Sequence, residues 1–261
     1  MDNNTFRQIY KALYDKGKFY APRQLPIIEA ENFSFVLQPY ERFASFVSRK
    51  LNLSYIKKEF LWYLKGDRFD LSICEHAKIW TNCIENGAIN SNYGQYIFGI
   101  QRQFDSVITI LKKDKDSRRA SIVILTKEHV GFDVKDEPCT YSINFRIRHD
   151  KLNMSVHMRS QDAIFGLGND IPTFSFVHEM VYETLKETYP SLTLGEYHHI
   201  ADSFHIYERH FEMLDDIIRG DKYIQIEVPK IDGKKEVDFL RAGDFTNVPD
   251  NYLFTKWILN K

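Results

Sequence analysis

From Tyr141 to Met158 the chain alternates in the way an antiparallel pair of half-buried strands requires. Tyr141, Ile143, Phe145 and Ile147 interleave with Ser142, Asn144, Arg146 and Arg148. His149-Asp150-Lys151 makes a turn, and Leu152, Met154, Val156 and Met158 resume the apolar period. A period of two puts these apolar residues on one face, which further elements have to cover. Helical spacing supplies covers: Thr5 to Lys16, a helix capped by Ser54 running to Leu64 and ended by Gly66, and Phe104 to Lys112. Asp70 to Glu85 before Gly87, Thr173 to Thr188 before Pro190, and Tyr207 to Arg219 also read as helices. Strands are expected at Asn32 to Leu37, Ser121 to Thr126, near Tyr197 and at Tyr223 to Val228, while the tail from Ile231 matches no template. Helices mixed with long antiparallel pairs imply an α+β fold, in one domain over residues 1–261.

Composition narrows the function classes. Net charge is -1, so no overall basic character points to nucleic acid, and an anion site has to be built from a few placed arginines. No apolar run reaches the ~18 residues of a membrane span, and Met1-Asp2-Asn3-Asn4 does not begin a signal peptide. Cys74, Cys83 and Cys139 are odd in number and form no CxxC pair, which argues against a disulfide framework or a zinc site. Reduced thiols suit a cytoplasm. Aromatics reach 15% of the residues, and core packing accounts for most of them.

Chemistry-bearing residues concentrate between Cys139 and Tyr207. Pro138-Cys139-Thr140 precedes the first hairpin strand. Arg159-Ser160-Gln161-Asp162 ends the second, Phe165-Gly166-Leu167-Gly168-Asn169-Asp170 follows, and Ser203-Phe204-His205-Ile206-Tyr207 comes later. Upstream lie Glu59-Phe60-Leu61-Trp62-Tyr63-Leu64-Lys65-Gly66, Ile79-Trp80, Tyr93-Gly94 and Ser117-Arg118-Arg119. Each has an ordinary reading: a buried thiol, solvated arginines, a strand-end or helix cap at Asp162 or Asp170, a core Trp80, a structural His205. Together and in this order they resemble the thymidylate synthase superfamily, over roughly residues 23–210. Thr140, Met158 and Asp170 depart from the synthase pattern, which has His, Gln and Asn there. These departures, with Ile89-Asn90-Ser91-Asn92-Tyr93-Gly94, resemble the phage-type deoxycytidylate hydroxymethylases.

The resemblance implies a mixed β-sheet with helices on one face and a homodimer packed sheet to sheet. It implies a pyrimidine nucleoside monophosphate as substrate, 5,10-methylenetetrahydrofolate as co-substrate and no metal. Cys139 would attack C6 of the pyrimidine, making C5 an enolate-like nucleophile. Glu59 would serve as general acid/base, and Asp170 would read the base edge. Arg159, Ser160 and Arg23 would hold phosphate, joined by Arg118 and Arg119 from the partner subunit. His205 and Tyr207 would bind the sugar hydroxyl, with Tyr93 on the substrate side and Asp162 and Trp80 on the folate side. The expected activity is C5 hydroxymethylation of a cytidylate, dCMP or CMP. Its rivals are C5 methylation of dCMP or dUMP, for which the ending Trp257-Ile258-Leu259-Asn260-Lys261 does not match the synthases, and non-catalytic nucleotide or RNA binding.

Overall fold

The computed structural model describes residues 4–130 and 134–260; Met1–Asn3 and Lys261, weighed above, lie outside them. In chain order the elements are α1 (Thr5–Lys16), β1 (Lys18–Tyr20), β2 (Ile27–Leu37), α2 (Leu53–Lys65), α3 (Tyr93–Ile97), α4 (Gln103–Lys113) and β3 (Ser121–Val123). They continue with β4 (Thr140–Arg148), β5 (Lys151–Asp162), α5 (Phe165–Lys186), β6 (Thr193–Tyr207), α6 (Phe211–Arg219), α7 (Gly233–Ala242) and α8 (Leu253–Ile258). The described residues form a six-stranded sheet in the order β1-β2-β6-β5-β4-β3. Only β5 and β6 run parallel, and α5 is the crossover between them.

The hairpin alternation orients this sheet. Ile143, Phe145, Ile147, Leu152, Met154 and Val156 are buried, and the Phe145 ring meets His178 of α5. On the opposite face Arg146, Val123 and Val36 are exposed, and so is Tyr141, against the alternation, because a bulge between Thr140 and Ser142 shifts the register there. Within this chain the helices cover one face and leave the other open. No helix among the described residues is long and apolar enough to cross a membrane.

Several elements differ from the sequence reading, each for a local reason. Asn52, not Ser54, caps α2: its side chain accepts from Tyr55 N–H, and Gly66 closes the helix with φ +60°. Residues 70–85 form 3₁₀ turns at Ser72–Glu75 and Lys78–Cys83 rather than an α-helix. Asp70 Oδ1 accepts from Ser72 N–H and its carbonyl accepts from the Trp62 indole, and these bonds compete with helical ones. Helix α5 begins at Phe165, ahead of Thr173, because burial of Leu167, Ile171 and Phe174 carries it through Pro172. Residues 223–228 form no strand; they make one bridge, Phe46 to Tyr223, and a bond from Ile224 N–H to Ser45 O. The strand expected near Tyr197 is the long β6, and α6 starts after a 3₁₀ turn at Glu208–His210.

Candidate active site

The register gathers most of the singled-out residues at one end of the sheet. Thr140 pairs with Met158, Ser160 with Ser203, Asp162 with His205, Glu29 with His205, and Ile27 with Tyr207. The start of β4, the ends of β5 and β6 and the start of β2 are therefore neighbours. Cys139, Arg159, Ser160, Asp162, His205, Tyr207 and the loop of Arg23 lie along that edge.

Arg159 is built into the support of Cys139. Its backbone N–H donates to Cys139 O at 2.8 Å, and its guanidinium donates to Pro138 O at 3.1 Å and Glu137 O at 2.8 Å. Glu137 lies 3.4 Å from the same guanidinium. Asp136 anchors the segment from below, accepting from Ser91 N–H at 2.6 Å and Ser91 O–H at 2.5 Å. Burial pushes the Cys139 thiol above its ordinary range; Arg159 opposes this, while Asp170, Asp136 and Glu137 reinforce it.

Helix α2 brings Glu59 in from above the sheet. The helix buries Ile56, Phe60 and Trp62 around it, so Glu59 is carried inward with them, and the residue is 3% exposed. Tyr55, one turn earlier, donates its hydroxyl to Glu59 Oε1 at 2.6 Å and accepts from the Trp80 indole at 2.9 Å. Glu59 Oε2 is buried with no hydrogen-bond partner among the described residues. Burial, then the charge of Asp170, pushes the Glu59 carboxyl up to about 8, against the Tyr55 bond. Such a group holds a proton near neutrality, as a general acid/base needs.

Asp170 lies in the second turn of α5, inside the helix rather than at its cap. Asp162 braces the turn into that helix from ahead of the Ile164 cap, its Oδ1 accepting from Ile164 N–H at 2.7 Å and Phe165 N–H at 3.3 Å. Burial pushes Asp170 up to about 7, with Asp162 adding to the rise, while a hydrogen bond from Gln161 to Oδ2 at 2.9 Å holds it down. Tyr93 is buried with its ring stacked on Phe174 of α5 at 5.9 Å, and it feels the charges of both Cys139 and Asp170. His205 is buried, its Nδ1 3.3 Å from Ser203 Oγ and its ring edge-on to Tyr207.

Two arginines stand apart. Phe145 N–H donates to Ala120 O, so Arg118 and Arg119 lie beside Arg146 and Ile147, exposed at the other end of β4. Seven or eight strand residues at ~3.3 Å each put them about 25 Å from Cys139 of the same chain, beyond the reach of a side chain. Arg23 is at the correct end but exposed, in a loop where it and Gln24 take φ of +52° and +64°. Sequence reasoning missed Tyr55, whose four-residue spacing from Glu59 marks it as a helical neighbour, and Gln161, which only the fold reveals. Among the described residues no group of three or more His, Cys, Asp or Glu could hold a metal ion.

The thymidylate synthase family model matches residues 6–252. This chain belongs to the thymidylate synthase family. It is 34% identical to a deoxycytidylate 5-hydroxymethyltransferase of Enterobacteria phage T6 over 181 residues, 65% of this chain and 73% of that protein. The enzyme of the same name from Enterobacteria phage T4 is 33% identical over the same lengths. A deoxyuridylate hydroxymethyltransferase of Bacillus phage SP01 is 27% identical over 220 residues, 77% of this chain and 56% of that protein. As a thymidylate synthase-family protein with hydroxymethyltransferase relatives, the chain is a folate-dependent pyrimidine one-carbon transferase.

The family uses 5,10-methylenetetrahydrofolate as co-substrate, and the donor set fits such a group. Trp80 is half-buried and linked through Tyr55 to Glu59, and Glu59 Oε2 is an orphaned buried acceptor. Half-buried Asp162 completes the polar set at the end of β5.

Proposed function

We propose that this chain, acting as a single catalytic domain, transfers a one-carbon unit to C5 of a cytidylate, dCMP or CMP, giving the 5-hydroxymethyl nucleotide. The observation that carries this reading is Asp170: a carboxylate, not an amide, held beside Glu59 and Cys139. Cytosine presents an amino donor at C4, which a carboxylate accepts. A carboxylate also accepts from N3–H once N3 is protonated, and a protonated N3 is the electron sink that lets sulfur add at C6. The names of the T6 and T4 relatives agree with this choice.

Arg159 and Ser160, with Arg23, would bind the phosphate, and His205 and Tyr207 the sugar hydroxyl. Cys139 Sγ forms a bond to C6 and its proton passes to a base, leaving C5 nucleophilic. Bound 5,10-methylenetetrahydrofolate would supply the carbon at the formaldehyde level; Trp80 and Asp162 would hold it. Bonding of that carbon to C5 would break its bonds to the folate nitrogens and release tetrahydrofolate, and loss of the C5 proton then leaves an exocyclic methylene on the pyrimidine. Glu59 then takes a proton from water as its oxygen adds to that methylene, and the Cys139–C6 bond breaks to return the thiolate. Tyr93 closes the substrate side.

The active unit is proposed to be a homodimer joined through the open sheet face, so that the partner's exposed Arg118 and Arg119 meet the phosphate. The distance from these arginines to Cys139 within one chain supports that arrangement. A second reading, the same chemistry on dUMP, draws on the name of the SP01 relative; a carboxylate at position 170 opposes O4 of uracil. The test is trapping: a 5-fluorocytidylate with 5,10-methylenetetrahydrofolate should leave a covalent ternary adduct on Cys139, seen by intact mass. Nucleotide binding without an adduct would favour a non-catalytic role.

A further inference from the structure

Gln161 sits between two residues with expected roles, yet its own side chain turns inward and is buried. Its carboxamide donates to Asp170 Oδ2 at 2.9 Å and reaches the Asp162 carbonyl at 3.4 Å. Space for it is made by Gly166. A Cβ at that position would lie 2.6 Å from Gln161 Nε2, closer than real contacts allow. Gly166 and Asp170 are four apart on α5, so they share a helix face, and the missing side chain of one lets the amide reach the other. Gln161 Oε1 is buried without a partner among the described residues. That orphan is costly, and it identifies the donor end of the amide as the end the site uses.

The groups around Asp170 offer no substitute. Tyr55, Tyr63 and Glu59 face it from α2, Tyr93 from α3, Cys139 from ahead of β4, Asp162 from β5 and Tyr197 from β6. None is a cation. The tyrosines are held protonated by burial, and Glu59 and Asp162 are acids that oppose a second negative charge. Among the described residues, Gln161 makes the one hydrogen bond to the Asp170 carboxylate.

We propose that Gln161 is the positioning residue that keeps Asp170 ionised and aimed as an acceptor, and thereby sets the preference for a 4-aminopyrimidine over a 4-oxopyrimidine base. An amide donor on Oδ2 leaves Oδ1 to take the base amino group and penalises the protonated acid. Without the donor, Asp170 keeps its proton to higher pH and presents an O–H, which suits O4 of a uracil. This inference rests on the cytidylate reading above for its consequence but not for its physical basis.

Gln161→Met keeps length and bulk and removes the donor; Gln161→Glu keeps shape and turns donor into acceptor. The expected result for both is an acid limb of kcat/KM for dCMP displaced upward by about one pH unit, the size of one charge-assisted bond. The dCMP-to-dUMP ratio of kcat/KM should fall about tenfold or more. An equal loss on both nucleotides with an unmoved limb would make Gln161 a packing residue and overturn the proposal. A direct readout needs no substrate: the ¹³C carboxyl titration of Asp170 in the free enzyme, assigned with Asp170→Asn, should move upward in Gln161→Met. An unmoved titration overturns the proposal even if dCMP proves not to be the substrate, whereas a moved titration with no wild-type turnover of dCMP would sustain the positioning role and sink the cytidylate reading instead.

Discussion

At one end of the sheet Cys139, Glu59 and Asp170 lie among buried aromatics, each with its acid–base behaviour displaced by burial and by its neighbours. At the other end Arg118 and Arg119 stand in solvent. The first end is assembled from β4, β5, β6, α2 and α5, so its geometry depends on the whole core. The second depends on the edge strand β3 and its register on β4. Chemistry that needs perturbed carboxyls belongs at the buried end, where desolvation supplies the shift. Recognition of a phosphate dianion belongs to solvated guanidinium groups, which stay charged without help. What joins the two ends in the proposed enzyme is a second subunit, so the contrast is testable by changes that separate chemistry from binding.

The largest effect is expected at Cys139. Cys139→Ser should lower turnover by about 10⁴-fold or more while nucleotide binding by equilibrium dialysis persists. Cys74→Ser and Cys83→Ser should stay within a few fold, and product formation by Cys139→Ser comparable to wild type would remove the covalent step. Next comes Asp170→Asn, measured as kcat/KM for dCMP and dUMP. The ratio should shift toward dUMP by roughly 10³-fold, because the amide cannot support a protonated N3. An unchanged ratio would return thymidylate-type chemistry to contention.

Glu59→Gln should cost about 10²–10³ in kcat and change the pH dependence of stability. Burial pushes the Glu59 carboxyl up from its ordinary value of about 4.5 to about 8 in the fold. The folded state thus binds the proton more tightly, and stability is full below the lower value and declines as pH rises through the upper one. Glutamine removes that decline. Thermal melts should show the mutant gaining on wild type between pH 5 and pH 8.5, by on the order of 1–3 kcal/mol at the alkaline end. Parallel melting curves would mean Glu59 is not buried as described.

At the solvent end the effects are smaller. Arg118→Ala with Arg119→Ala should raise KM for the nucleotide about tenfold and leave the chemical step of bound substrate nearly intact. Mixing these subunits with Cys139→Ser subunits should restore part of the activity. Demonstrated exchange without recovery would break the shared-site arrangement. Arg23→Ala, in its exposed loop, should change KM by only a few fold.

How legible all this is in the sequence follows the same division. The hairpin of β4 and β5 shows itself because alternation is a local signal, and α1 matches from Thr5 to Lys16 for the same reason. The start of α5 is hidden because Gly166, Gly168 and Pro172 look like helix breakers; burial of Leu167 and Ile171 overrides them. Residues 70–85 mislead because helical spacing does not reveal that Asp70 spends its side chain on Ser72 N–H. The candidate residues could be named from motifs, but not their division between the two ends, which needs the register of β3 on β4. Gln161 is a lone polar residue on a strand end, and no pattern says that it points inward.

The most direct measurement incubates the protein separately with dCMP, CMP and dUMP in the presence of 5,10-methylenetetrahydrofolate, and weighs nucleotide and folate products together. The expected result is a cytidylate heavier by one CH₂O unit, with tetrahydrofolate as the spent co-substrate and little product from dUMP. A methylated product from dUMP with accumulating dihydrofolate, and untouched cytidylates, would contradict it.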